Sequence, residues 1–220
     1  MKKGLIVIGL IVSVILSVGP AKAAVIVDTG SVSDPLNGGP ILVGNVPGYS
    51  YFQWLAGKFT LGQTYTVTDI QGWISTGYSN SLASKLTLVV YGDGGTVPNK
   101  SNELYSGLFD LPGTTTIAHN WYGVSGLSLT LGPGSYWAAF ETRQGYMYDG
   151  YMQHPVPNPL SGYAVAYPSY PNYNSYANAN FGLKVQGVPG QSPVVPEPAT
   201  MALFGIGGAA AAFMKRQKRT

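Results

Sequence analysis

Leu127-Ser128-Leu129-Thr130-Leu131-Gly132-Pro133-Gly134-Ser135-Tyr136-Trp137-Ala138-Ala139-Phe140-Glu141 is the stretch on which the fold turns. Leu127, Leu129 and Leu131 alternate with Ser128 and Thr130, a period of two that puts the leucines on one face of a strand. Gly132-Pro133-Gly134 then turns the chain, because glycine admits positive φ and proline cannot continue a ladder. Beyond it Tyr136, Ala138 and Phe140 alternate with Trp137, Ala139 and Glu141. Two alternating runs and a turn leave no room for a helical period.

The same grammar recurs to either side. Leu86, Leu88 and Val90 share a face with Thr87 and Val89 opposite, and Gly92-Asp93-Gly94-Gly95 follows as a turn signal. Further strands are expected over 25–27, 53–61, 64–74, 103–109, 163–167 and 181–186. The predicted fold is all-β: a single β-sandwich, jelly-roll-like, over residues 24–187. A region of that size can bury a self-sufficient core. It has to, because the chain has no cysteine and no disulfide can staple it.

Both ends read differently from the middle. Lys2 and Lys3 precede an apolar run over 5–18 and the small-residue site Ala21-Lys22-Ala23, the pattern of a secretory signal peptide ending at residue 23. At the other end a Pro-rich linker, 188–198, closes with Pro196-Glu197-Pro198 and runs into an apolar segment over 199–214. Sixteen helical residues reach about 24 Å, slightly short of a hydrocarbon core of roughly 30 Å. A transmembrane helix is expected there. Lys215, Arg216, Lys218 and Arg219 follow at once and are expected to stop transfer, keeping the tail 215–220 in the cytoplasm. Pro198 biases Glu197 away from helix, so the tripeptide is expected to lie extended and open to a protease.

Pro-Glu-Pro, a short apolar segment and a basic cluster, in that order, resemble the PEP-CTERM sorting signal. The resemblance implies a substrate of the membrane enzyme exosortase, cut at or near Pro196, Glu197 and Pro198. It also implies handling by the general secretion machinery and signal peptidase, and transient residence in the inner membrane of a Gram-negative-type bacterium. Release to the cell surface or extracellular matrix would follow. A second resemblance rests on Leu55-Ala56-Gly57-Lys58-Phe59-Thr60-Leu61, Tyr65-Thr66-Val67-Thr68-Asp69-Ile70 and Leu86-Thr87-Leu88-Val89-Val90-Tyr91-Gly92-Asp93-Gly94-Gly95, with Pro98 and Glu103-Leu104-Tyr105 beyond. These runs are similar to the β-sandwich ectodomains of choice-of-anchor type that occur joined to PEP-CTERM tails. That family brings no catalytic residues with it.

Charge narrows the partners. The chain as a whole is formally +3, yet between residues 24 and 198 five basic residues face nine acidic ones, a net of −4. A mildly acidic, sparsely charged domain offers no electrostatic case for nucleic acid. Catalytic constellations are thin. The two histidines, His119 and His154, read as loop residues, with His119 just before a strand start. Asp93 among glycines reads as a turn residue, since a calcium loop needs several oxygen ligands. Trp54, Trp73, Trp121 and Trp137 fall within or beside strands, where core packing is their default. Asn99-Lys100-Ser101 matches a glycosylation triplet by coincidence. No catalytic residue, metal or cofactor is expected.

The least ordinary segment runs from Tyr146 to Tyr176, with tyrosines interleaved with prolines. Its prolines exclude a central strand, so a long loop holding one short strand at 163–167 is expected. Tyrosine offers a flat apolar face with a hydrogen-bonding tip, which suits sugar rings. Tyr167, Tyr170, Tyr173 and Tyr176 are thus candidate ligand-binding residues, against the plainer alternative that half the tyrosines lid the sandwich. The reading preferred from sequence is a non-enzymatic exported surface or matrix protein, associated with exopolysaccharide in a biofilm. The alternatives are a carbohydrate-binding module using the tyrosine-rich loop, and a hydrolase whose acidic pair only the fold would reveal.

Overall fold

The structure is a computed structural model and describes residues 22–31, 41–42, 53–76, 84–114, 116, 118–143, 151–152, 156–167, 170–177 and 180–190. The expected signal peptide up to Ala21, the Pro-Glu-Pro motif, the apolar segment and the basic tail lie outside the described residues.

Alternation becomes pairing along the whole described chain. The strands are β1 (Ala24–Asp28), β2 (Ile41–Leu42), β3 (Trp54–Leu61), β4 (Tyr65–Thr76), β5 (Ser84–Asp93) and β6 (Pro98–Leu111). They continue as β7 (Ala118–Leu131), β8 (Gly134–Glu141), β9 (Tyr151–Met152), β10 (Tyr163–Tyr167), β11 (Tyr170–Ser175) and β12 (Leu183–Pro189). Every pairing among them is antiparallel. One sheet holds β1, β12, β4 and β7 side by side, with β9 pairing the far half of β4 and β2 pairing β9. The other runs β11-β10-β3-β8-β5-β6. No helix occurs among the described residues. The all-β expectation therefore holds.

Gly132-Pro133 turns the chain as expected, but the strands it joins lie in different sheets. β7 pairs β4 in the first sheet and β8 pairs β3 and β5 in the second. Leu127, Leu131, Ala138 and Phe140 consequently meet in one core between the sheets, with Leu55, Ile70, Ile74, Leu88, Val165 and Val185. Each of the larger side chains contributes roughly 1.5–3 kcal/mol by leaving water. Edge-to-face ring contacts from Phe140 to Phe109 and Phe181, and from Tyr163 to Phe181, fix how the rings interlock.

β7 is much longer than the run 127–131 suggests, and His119 sits inside it rather than before it. Its first half approaches β4 so closely that a Cβ on Gly123 would collide with the Ile70 carbonyl. Gly126, at φ +72°, takes up the bulge where the register with β4 shifts.

The outward face of the second sheet is also buried. Ala56, Val89, Tyr91, Trp137, Ala139, Ala164 and Ala166 form a second apolar cluster with Tyr173, packed by Trp54 and Val97. Cover comes from both edges. From β11, Tyr173 reaches in beside Tyr91, ring centroids 6.3 Å apart. From β6, the register jumps from Tyr91↔Glu103 to Gly92↔Asn99, so Lys100, Ser101 and Asn102 bulge out of the ladder. Lys100 then lies over the Trp54 ring, 5.4 Å from its centroid.

Candidate functional site

Glu141 is the chemical centre of that covered face. It ends β8 on the same side as Trp137 and Ala139 and is fully buried. An unpaired carboxylate there would cost several kcal/mol, so its oxygens must find donors. Oε1 accepts from the hydroxyls of Tyr91 (2.9 Å) and Tyr173 (2.6 Å), and Oε2 accepts from Arg143 Nε (2.6 Å). Arg143 also donates to Tyr91 Oη (2.7 Å) and to both oxygens of Glu103 (3.0 and 3.3 Å). Four strands are tied by one network: β5 through Tyr91, β6 through Glu103, β8 through Glu141, and β11 through Tyr173.

The surroundings tune these groups in consistent directions. Burial, then the charge of Glu141, pushes the Tyr91 and Tyr173 phenols well above the usual range and keeps them as donors. The hydrogen bonds from Arg143 hold Glu103 below the usual carboxylate range. Burial opposes the charge on Arg143, but Glu103 and Glu141 outweigh it and raise its pKa. The arrangement is saturated: each charge has a partner and each buried hydroxyl a use. Its chemistry is that of a clamp.

The candidate tyrosines are not one surface. Tyr173 is 6% exposed and belongs to the clamp, which corrects its reading as a ligand-binding residue. Tyr176 is 51% exposed, and Tyr167 is half-buried. Tyr170 begins β11, and its side chain lies outside the described residues. The expected loop is in part a strand: β11 pairs β10 at the edge of the sheet, where Pro171 breaks no interior ladder. Sequence reasoning passed over Glu141 and Arg143. The signal was a period of two that runs from Trp137 and Ala139 to Glu141 and, just past the end of β8, Arg143: an apolar face that ends in an ion pair.

The remaining candidates resolve separately. Asp93 closes the β5–β6 turn, accepting from Gly95 N–H (3.0 Å), Trp137 Nε1 (3.1 Å) and Lys58 Nζ (3.0 Å). Partial burial pushes its carboxyl up, but the bonds from Lys58, Trp137 and Gly95 prevail and hold it low. Trp137 is buried, yet outside the inter-sheet core. Trp73 and Trp121 lie opposite one another on the outward face of the first sheet, partly exposed and edge to face at 5.4 Å. Lys184 covers the Trp121 ring at 4.2 Å and pairs with Asp28 at 3.6 Å. His119 Nδ1 lies 2.6 Å from Ser75 Oγ, and burial lowers its pKa toward the neutral ring. Ser75 is buried, which closes its hydroxyl to a substrate. His154 lies outside the described residues. Among the described residues no three His, Asp or Glu side chains converge as a metal site would require.

The family model for the PEP-CTERM protein-sorting motif matches residues 194–219. No curated protein matches the chain. The motif spans the Pro-Glu-Pro tripeptide, the apolar segment and the basic cluster, and it implies an exported, surface-sorted protein processed by exosortase.

Proposed function

We propose that this chain is a non-enzymatic surface or extracellular-matrix protein whose β-sandwich is delivered by exosortase and associates with exopolysaccharide. The match of the sorting motif to residues 194–219 carries the reading. On this view residues 1–23 are removed on export, 199–214 hold the chain in the inner membrane, and Lys215, Arg216, Lys218 and Arg219 keep the C-terminus inside until cleavage near Glu197. The similarity of the strand-and-turn runs to choice-of-anchor ectodomains belongs to the same reading. A non-catalytic domain is supported by the way its polar clusters close on themselves: the carboxylate of Glu141 is sealed by three donors, and Ser75 is buried against His119. Mass spectrometry of the mature C-terminus from an exosortase-bearing host tests the sorting step. The expected terminus lies at or near residues 196–198, and retention of Thr220 in the membrane fraction overturns it.

The exposure of Tyr176 beside half-buried Tyr167 favours a second reading, direct sugar contact at the β10–β11 edge. A pull-down on insoluble polysaccharide tests it. Retention of the wild type with release of Tyr176→Ala is the expected result, and equal retention of both proteins removes Tyr176 from the site.

A further inference from the structure

The two ends of the described domain leave it at the same pole. Ala24 of β1 sits opposite Gly187 of β12, and β12 runs on until Gly190 N–H donates to Thr64 O at 2.8 Å. The turn 62–64 lies there, between the end of β3 and the start of β4. The turn 132–134 lies beside it, because Leu61 pairs Gly134 and Tyr65 pairs Leu131. The β5–β6 tip, 94–96, points the same way, since Gly92 pairs Tyr136.

None of these three turns carries a charge. Gln63, Thr96 and Pro133 are exposed on them, and Lys58 and Asp93, beside the β5–β6 tip, neutralise one another at 3.0 Å. Glu141 and Asp110 are set toward the other end of the second sheet: β8 runs away from this pole to Glu141, and Asp110 pairs Lys85 at the far end of β5. Glu103, opposite Tyr91 and nearer the pole, is neutralised by Arg143. A domain of net negative charge thus keeps an uncharged end where its chain departs for the apolar segment.

Eight residues, 191–198, separate Gly190 from that segment. They can span at most about 28 Å. The headgroup layer they must also cross takes up roughly 5–7 Å of that reach. An acidic flank placed so near an anionic bilayer would be repelled, whereas an uncharged pole is not.

We propose that the pole formed by turns 62–64, 94–96 and 132–134 is a membrane-facing surface, held against the lipid headgroups while the chain is anchored, with the β10–β11 edge turned outward. This inference rests on the anchored stage of the sorting reading above. The absence of native cysteine makes it directly testable by single labels. The full-length protein carries one fluorophore, at Gln63→Cys or Thr96→Cys near the pole, or at Asn158→Cys or Asn172→Cys at the far end. All four positions are exposed, and unchanged thermal melting checks each fold. The proteins are reconstituted into phosphatidylcholine–phosphatidylglycerol vesicles, with and without a headgroup-borne quencher, and separated by flotation. The expected result is flotation with quenching several-fold stronger at Gln63→Cys and Thr96→Cys than at the far positions. Flotation with equal quenching at both ends, or stronger quenching at the far end, overturns the membrane-facing pole and leaves the anchor reading standing. Failure to float overturns the anchored stage itself, and the pole with it. Flotation without quenching at either end, together with crosslinking of Gln63→Cys to co-reconstituted exosortase, assigns the pole to the enzyme and overturns the lipid assignment.

Discussion

Tyr173 shows how far a residue's role can depart from the segment that contains it. Its sequence neighbours are Pro, Asn and Ser, yet its hydroxyl is one of two that donate to Oε1 of buried Glu141. Tyr173→Phe keeps the ring and deletes one donor to a buried charge, so it should lower unfolding free energy by about 1.5–3 kcal/mol. Tyr176→Ala, at an exposed position, should change it by less than about 0.5 kcal/mol. Urea midpoints of the mature protein check both. The same network sets an alkaline limit. The Tyr91 and Tyr173 phenols titrate above their ordinary value of 10.0 in the folded state, so beyond that pH the unfolded chain loses protons that the folded one keeps. Stability is therefore full below pH 10 and falls as pH rises past it, by up to about 1.4 kcal/mol per pH unit for each phenol. Tyr173→Phe should flatten that fall, and an unchanged alkaline slope would dissociate the two phenols from the clamp. On the acid side the order reverses: Glu103, held low by Arg143, contributes stability above pH 4.5 that is lost as pH falls below it.

Strands buried on one face, or sorted into an apolar and a polar face, were legible from their alternation. The end of β7 is of this kind, and β5 and β8, though buried on both faces, still send Leu86, Leu88, Val90, Ala138 and Phe140 in step toward the inter-sheet core. Three kinds of element were not legible. The first half of β7 carries Gly123 and Gly126, whose local signal is a turn; the real causes are close approach to β4 at Gly123 and the positive φ of the bulge at Gly126. β9 is two residues held by β4 and β2, a pairing that no local pattern announces. β11 contains Pro171, which only its edge position tolerates. The covered outer face lies between these cases. Ala56, Ala139, Ala164 and Ala166 look like the weak, solvent side of strands, but they are small because Tyr91, Tyr173 and Trp137 pack over that sheet face. Ala139→Leu therefore separates the two interpretations. On a solvated face it would be nearly neutral, whereas under this cover it should overpack the layer and cost about 1–3 kcal/mol. Thermal or urea unfolding of the variant, compared with a leucine at exposed Ser125, measures the difference.

At the scale of the whole molecule, fold and destination are encoded in different parts of the chain, and that separation explains what the sequence could convey. A sorting signal is read by a membrane and an enzyme as a linear string, so order and spacing suffice: Pro196-Glu197-Pro198, a largely apolar segment of sixteen residues, four cations. The clamp around Glu141 draws on β5, β6, β8 and β11 and exists only after folding, so no string announces it. The linear signal should accordingly be divisible by mutation without touching the domain. Replacing Pro196, Glu197 and Pro198 by alanine removes the two residues that lack N–H groups and the one charge beside the apolar segment. The segment and its cations remain, so the variant should reach the membrane and stay there at full length. Replacing Lys215, Arg216, Lys218 and Arg219 by glutamine does the opposite. The cleavage motif stays, but a weak, Gly- and Ala-rich segment loses the charges that stop its translocation, and part of the protein should pass through uncut. In both variants the domain should melt at the wild-type temperature, because the replaced residues lie outside the twelve strands that build it. Fractionation and immunoblotting in an exosortase-bearing host read both results. The same phenotype from the two replacements would mean that motif and cations act at one step, and the division of labour argued here would fail.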